Sequence, residues 1–229
     1  MKFPNSVVGM GCILFIVSSS FAGAINIRFH GGFSNFSGDG RFTRRIENYG
    51  FGLDSGFNAG IRIIYDTKNL PINIATAINY FPLKNEASFM DVACPHHSYF
   101  SKVTREYSTS IVSTNLGLEY KVYDAKFSPY ASLNLSANYF DKVKRTETSA
   151  CDLPSISHSE FYSRRLRIGA GIGIGTYIEI VEPLNFYVQI NYDWLKIFGK
   201  EEYRGYEPMV KEQNLNVLIL SLGILYALE

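Results

Sequence analysis

Residues 165–180 read RLRIGAGIGIGTYIEI. Leu166, Ile168, Ala170, Ile172, Ile174 and Ile178 alternate with Arg165, Arg167, Gly169, Gly171, Gly173, Gly175 and Glu179. A period of two puts the two sets on opposite faces of a β-strand. The strand predicted here, about residues 162–180, is far longer than the usual run of about five or six residues. It has the length that a tilted strand needs to cross a bilayer. The middle of its second face is glycine, with charges only toward the ends, which suits a narrow interior better than a surface in water.

The same alternation recurs on both sides of this stretch. It predicts strands over about 25–34, 51–65, 70–81, 108–123, 128–140, 184–197 and 215–228. In the strand at 128–140, Leu133, Leu135, Ala137 and Tyr139 oppose Ser132, Asn134, Ser136 and Asn138. Connections alternate in length. Residues 66–69, 124–127 and 181–183 are tight turns, whereas 35–50, 82–107, 141–161 and 198–214 are long and polar. Short turns on one side and long loops on the other are the outer-membrane pattern. The reading is all-β: an eight-stranded antiparallel up-and-down transmembrane β-barrel, closed because a bilayer tolerates no free strand edge. A lipocalin-like soluble barrel would carry charges outward along every strand, and the non-apolar faces here are rich in Gly, Ala, Ser and Asn instead.

Composition agrees. Charged residues make up 19%, below the roughly 25% of soluble domains, aromatics reach 15%, and mean hydropathy is −0.02. That balance fits alternating faces, not a helical membrane protein. Lys2, the apolar run Val7–Val17 and the site Ala22-Gly23-Ala24 have the form of a secretory signal, so residues 1–24 are expected to be cleaved and 25–229 to form the barrel. Lys2 is the one charge in that segment. Its removal from 22 basic residues leaves 21 against 21 acidic ones, a balance that argues against nucleic acid as a partner. Two cysteines stay, Cys94 and Cys151, and an even pair in an exported chain reads as a disulfide.

Tyr80, Tyr139 and Trp194 end strands of one direction; Tyr65, Tyr120 and Tyr226 end those of the other. On the apolar parity they would form two interfacial belts in the membrane lipids. Arg28, Arg62, Glu119, Lys121, Arg165, Arg167, Glu179 and Asp193 share the lumen parity. Ions in so narrow a space need partners, and the strands at 51–65 and 162–180 face each other, which predicts an Arg62–Glu179 pair. A plug of ion pairs is the favoured reading of these charges, a gate or narrow channel the other.

The C-terminal run Ser221-Leu222-Gly223-Ile224-Leu225-Tyr226-Ala227-Leu228 carries Ser221, Gly223, Tyr226 and Leu228 at the spacing of an outer-membrane assembly signal. It resembles the last strand of the outer-membrane protein β-barrel family, which includes small barrels of OmpA and OmpX type. Phe127-Ser128-Pro129-Tyr130 is similar to that family's lead-in to a strand. The resemblance implies outer-membrane localisation and the barrel assembly machinery as a partner during biogenesis. The chain departs from it in ending Leu228-Glu229 where the family often ends on Phe.

Little in the chain reads as chemistry. Cys94-Pro95-His96-His97, with Cys151 and His158, is a weak metal set. Lipid A deacylases are also eight-stranded barrels, with a His-x-Ser pair on a strand. His96-His97-Ser98 has that spacing, but in a long loop that would not hold a base and nucleophile rigid. The expectation is a non-enzymatic barrel without cofactor, whose external loops serve envelope stabilisation, adhesion or ligand binding.

Overall fold

The computed structural model describes residues 24–46, 50–67, 70–92, 100–122, 126–149, 156–159, 165–198, 202–203, 210–211 and 213–228. Residues 1–23 of the expected signal segment 1–24, the Cys94–Cys151 pair and His96, His97 and Ser98 lie outside them. The elements are β1 (Ile25–Ser37), the short helix α1 (Gly40–Thr43), β2 (Ser55–Tyr65), β3 (Ile72–Val92), β4 (Phe100–Lys121), β5 (Phe127–Phe140), β6 (Lys144–Ser149), β7 (Ile156–Ser159), β8 (Arg165–Val181), β9 (Leu184–Phe198), β10 (Glu202–Tyr203), β11 (Val210–Lys211) and β12 (Asn216–Leu228).

Eight strands close into a barrel in the order β3-β2-β1-β12-β9-β8-β5-β4, and β4 pairs back onto β3. Every pairing in the ring is antiparallel. The first and last strands meet without a break from Ile25↔Leu228 to Ser37↔Asn216. Closure matters because each backbone amide and carbonyl then has a partner, which hydrocarbon demands.

Burial is inverted relative to a protein in water. Leu135, Ile174 and Phe57 are 65%, 64% and 64% exposed, whereas Arg28 and Glu119 are fully buried. Outward side chains form an apolar band around the ring, and many inward ones are Asn, Ser, Gln and charged groups. Such a wall is stable only against lipid.

Three expectations are corrected. The sequence predicts a loop over 82–107, yet β3 and β4 stay paired from Phe81↔Ile111 to Val92↔Phe100. The hairpin therefore rises ~35 Å beyond the ring. Residues 141–161 contain β6 and β7, and β6 takes over the edge of β4 where β5 leaves it, from Ser108↔Lys144 to Val103↔Ser149. Residues 35–50 are also more than a loop: β1 continues to Ser37, and α1 follows with Asp39 capping it. In each case polar residues at period two read as loop, because only one face of an extension above the membrane packs on anything.

The lumen is not polar throughout. At the end away from the short turns, Phe36, Phe42, Phe51, Phe81, Ile111, Phe140, Leu195 and Val217 belong to one buried apolar cluster. At the other end Ile64, Ala75, Tyr130, Tyr177, Tyr187 and Leu225 form a second. Asn58, Asn115, Asn134, Gln189 and Asp193 lie between them. The glycines of β8 make that filling possible: a Cβ on Gly171 or Gly173 would run into the side chains of Asp193 and Asn191 from β9.

Candidate functional site

The lumen charges converge on Glu119. Arg28 and Arg62 are cross-strand neighbours on β1 and β2, a repulsive placement unless an anion intervenes. Glu119 of β4 supplies it: its Oε2 lies 3.2 Å from Arg28 and 3.3 Å from Arg62, and neither Arg28 nor Glu119 reaches solvent. The Tyr177 hydroxyl donates to Glu119 as well. Arg28 also donates to the Tyr130 hydroxyl at 3.2 Å and to Gln189 Oε1 at 3.1 Å. Its guanidinium lies 4.3 Å from the ring centre of Tyr187 and 4.9 Å from that of Tyr177. One arginine thus ties β1 to β4, β5, β8 and β9 through the middle of the barrel. Aromatic faces and charge-assisted bonds offset the cost of burying it.

The predicted Arg62–Glu179 pair does not form. Glu179 is exposed at the turn-side mouth, where it lines an open cup of about 570 Å³ with Asp66, Lys121, Lys126 and Glu182. Arg62 points inward to Glu119, two residues deeper along the barrel wall than the mouth residue Lys121, and the shorter path to an anion wins. Lys121 pairs with Asp66 at the rim, 3.5 Å apart. Asp193 is buried beside a cavity of about 10 Å³ that Arg62, His30 and Asn79 also line, room for roughly one water. His30 Nε2 lies 2.7 Å from Asn79 Oδ1. Arg167 is buried and donates to the Leu166 carbonyl, while Arg165 is half-buried.

Tyr80, Tyr120, Tyr139 and Tyr226 stand outward and 39–48% exposed; Tyr65 and Trp194 are half-buried on the same outer wall. Ser221 is buried in the lumen, and Tyr226 and Leu228 face out. A Cβ on Gly223 would collide with the Phe29 carbonyl and the Tyr187 ring, so that position in the C-terminal motif admits no side chain.

Sequence reasoning missed two features. The inward tyrosines 130, 177 and 187 share the parity of Ser132, Gly175 and Gln189, so alternation alone could have found them. Lys196 was not accessible that way. It has the outward parity of Trp194, yet it is fully buried and donates to Asp39 Oδ2 at 2.8 Å. A bulge causes this: Ile168 pairs with Phe198 but Ala170 with Trp194, so β9 carries extra residues there and both Leu195 and Lys196 turn inward.

No family model matches the chain, and no curated protein matches it in sequence. Solved structures do. A major outer membrane protein from Thermus thermophilus aligns with a TM-score of 0.52 at 13% identity, over 90% of this chain and 100% of that one. Neisserial surface protein A aligns at 0.48 and 15% identity, over 88% and 96%. Outer membrane protein OprG from Pseudomonas aeruginosa aligns at 0.48 and 16%, over 91% and 97%. The likeness to the Thermus protein is one of fold. Together with the closed ring and its inverted burial, it defines the class: a small integral β-barrel of the outer membrane. Among the described residues no group of His, Cys, Asp or Glu has the geometry to hold a metal.

Proposed function

We propose that the protein is a non-catalytic outer-membrane barrel with a closed lumen, whose working surface is the sheet raised above the membrane. The observation that carries this reading is the unbroken β3–β4 ladder out to Val92↔Phe100, with β6 and β7 added at its side. Ordered strands on a rigid ring present side chains at low entropic cost, which a binding or adhesive surface needs. The Arg28–Glu119–Arg62 cluster and the apolar cluster at the far end fill the lumen at two levels, which supports a plug over a channel. The long polar segments serve contact with an external ligand or surface, and the barrel body serves the envelope.

Refolded protein tests this directly. It should show no conductance steps in a planar bilayer and no turnover of phospholipid or lipid A. Cells displaying it should bind an extracellular-matrix or glycan panel in a way that replacement of residues 85–105 by a tight turn abolishes. Steady conductance steps, or lipid hydrolysis, would refute the reading.

A further inference from the structure

We propose that the cup at the turn-side mouth binds a short zwitterionic peptide with an apolar side chain. The inference goes beyond the role given to the raised sheet, which stands at the opposite end of the barrel.

The cup holds about 570 Å³, a volume typical of small-ligand pockets. Its floor is apolar. Ile64 of β2 and Leu225 of β12 line it, 1% and 6% exposed. Tyr177 of β8 lines it as well, with its hydroxyl already given to Glu119. All three belong to one buried cluster, so the floor is packed and fixed in shape.

One donor on the wall is unspent. Asn73 of β3 lines the cup and is 2% exposed, and its Nδ2 has no hydrogen-bond partner among the described residues. A buried N–H without an acceptor is costly, so this position favours a ligand that brings a carbonyl oxygen. Asn26 of β1 and Asn185 of β9, both half-buried, add further amides around the wall.

The rim separates charge. Lys121 is tied to Asp66 at 3.5 Å. Lys126 before β5, Glu179 on β8 and Glu182 in the turn to β9 are exposed, and among the described residues they form no ion pair. A cation therefore stands on the β5 side and two carboxylates on the β8 and β9 side. The matching ligand has an ammonium for Glu179 and Glu182, a carboxylate for Lys126, a carbonyl for Asn73 and an apolar side chain for the floor. A short peptide with free ends is such a molecule. A fatty acid lacks the ammonium, and a polyamine lacks the carboxylate and the apolar body.

The test uses the full refolded protein in lipid nanodiscs, with the dipeptide Gly-Leu as probe. Two controls each remove one charge: N-acetyl-Gly-Leu lacks the ammonium, and Gly-Leu amide lacks the carboxylate. The readout is the affinity from NMR shifts of the Asn73 side-chain amide and of the Glu179 and Asn185 backbone amides. Gly-Leu should move them along a saturable curve, and each control should bind about tenfold more weakly. Glu179→Gln should weaken Gly-Leu binding but leave the acetylated peptide unchanged, since that peptide has no ammonium to lose. Asn73→Leu removes the buried donor and should weaken all three peptides. The proposal is overturned if Gly-Leu moves none of these resonances, if either control binds as tightly as Gly-Leu, or if Glu179→Gln weakens the acetylated peptide as much as the free one. Glu179 is exposed, so that variant keeps the test decisive even where Asn73→Leu fails to refold. Retained barrel circular dichroism identifies the folded variants.

Discussion

Glu119 is the residue on which the turn-side half of the lumen depends. It stands between two guanidiniums that would otherwise repel each other inside the barrel. Glu119→Gln keeps the shape and removes the charge, so it should destabilise the barrel by about 3–5 kcal/mol, read by urea unfolding from vesicles. Double-mutant cycles should give a clear coupling for Arg62 with Glu119 and none for Arg62 with Glu179. A coupling for the second pair as large as for the first would contradict the geometry. The alternation of polar and apolar residues announced that Arg28, Arg62 and Glu119 point inward. It carried no information on which anion Arg62 would choose, because that depends on the depth of each side chain along the lumen.

Among the elements, β6 shows how the raised sheet is held. Arg105 Nε lies 2.8 Å from Glu147 Oε2, Arg145 also reaches that oxygen, and Arg105 stacks 4.7 Å from the Phe89 ring centre. Partial burial pushes the Glu147 carboxyl up, but bonds from Arg105 and Arg145 outweigh it and hold the group below its ordinary value. A depressed carboxylate contributes stability that is fully present above its unfolded value and is lost as pH falls through the folded one. The β4–β6 ladder should therefore be intact at neutral pH and loosen as pH falls below the ordinary glutamate range, seen as selective loss of NMR dispersion over residues 144–149. Glu147→Gln should remove the pH dependence. The same ladder bears on the cysteines. Val92 pairs with Phe100 and Ser149 with Val103, so β3 and β6, the strands that precede the two cysteines in sequence, flank β4 and end at one end of the sheet; Cys94 and Cys151 themselves lie outside the described residues. We propose that they form a disulfide, and non-reducing mass spectrometry of envelope-purified protein should show two mass units fewer than the reduced form. Two alkylatable thiols would disprove it.

For the molecule as a whole, the membrane is the solvent that makes the apolar exterior stable. Leu135, 65% exposed near the middle of the band, should be among the least tolerant outer positions. Leu135→Arg should cost about 2–4 kcal/mol in vesicles, whereas the same change at the rim would cost little. The alternation of short and long connections predicts that the tight turns face the periplasm. Protease added to sealed cells should cut only in the long extracellular segments, and a cut at Lys126 would reverse the orientation. Period-two alternation by itself determined the eight strands of the ring and which face meets lipid, because those follow from local stereochemistry and hydrophobic pattern; closure was expected because a bilayer tolerates no free strand edge. Only the tertiary structure decided that Glu119 takes both arginines, that a bulge turns Lys196 onto Asp39, that β3 and β4 run on through residues 82–92 and 100–107, and that β6 and β7 form within 141–161. Each rests on contacts between strands far apart in the chain, and a pattern confined to one strand carries no trace of them.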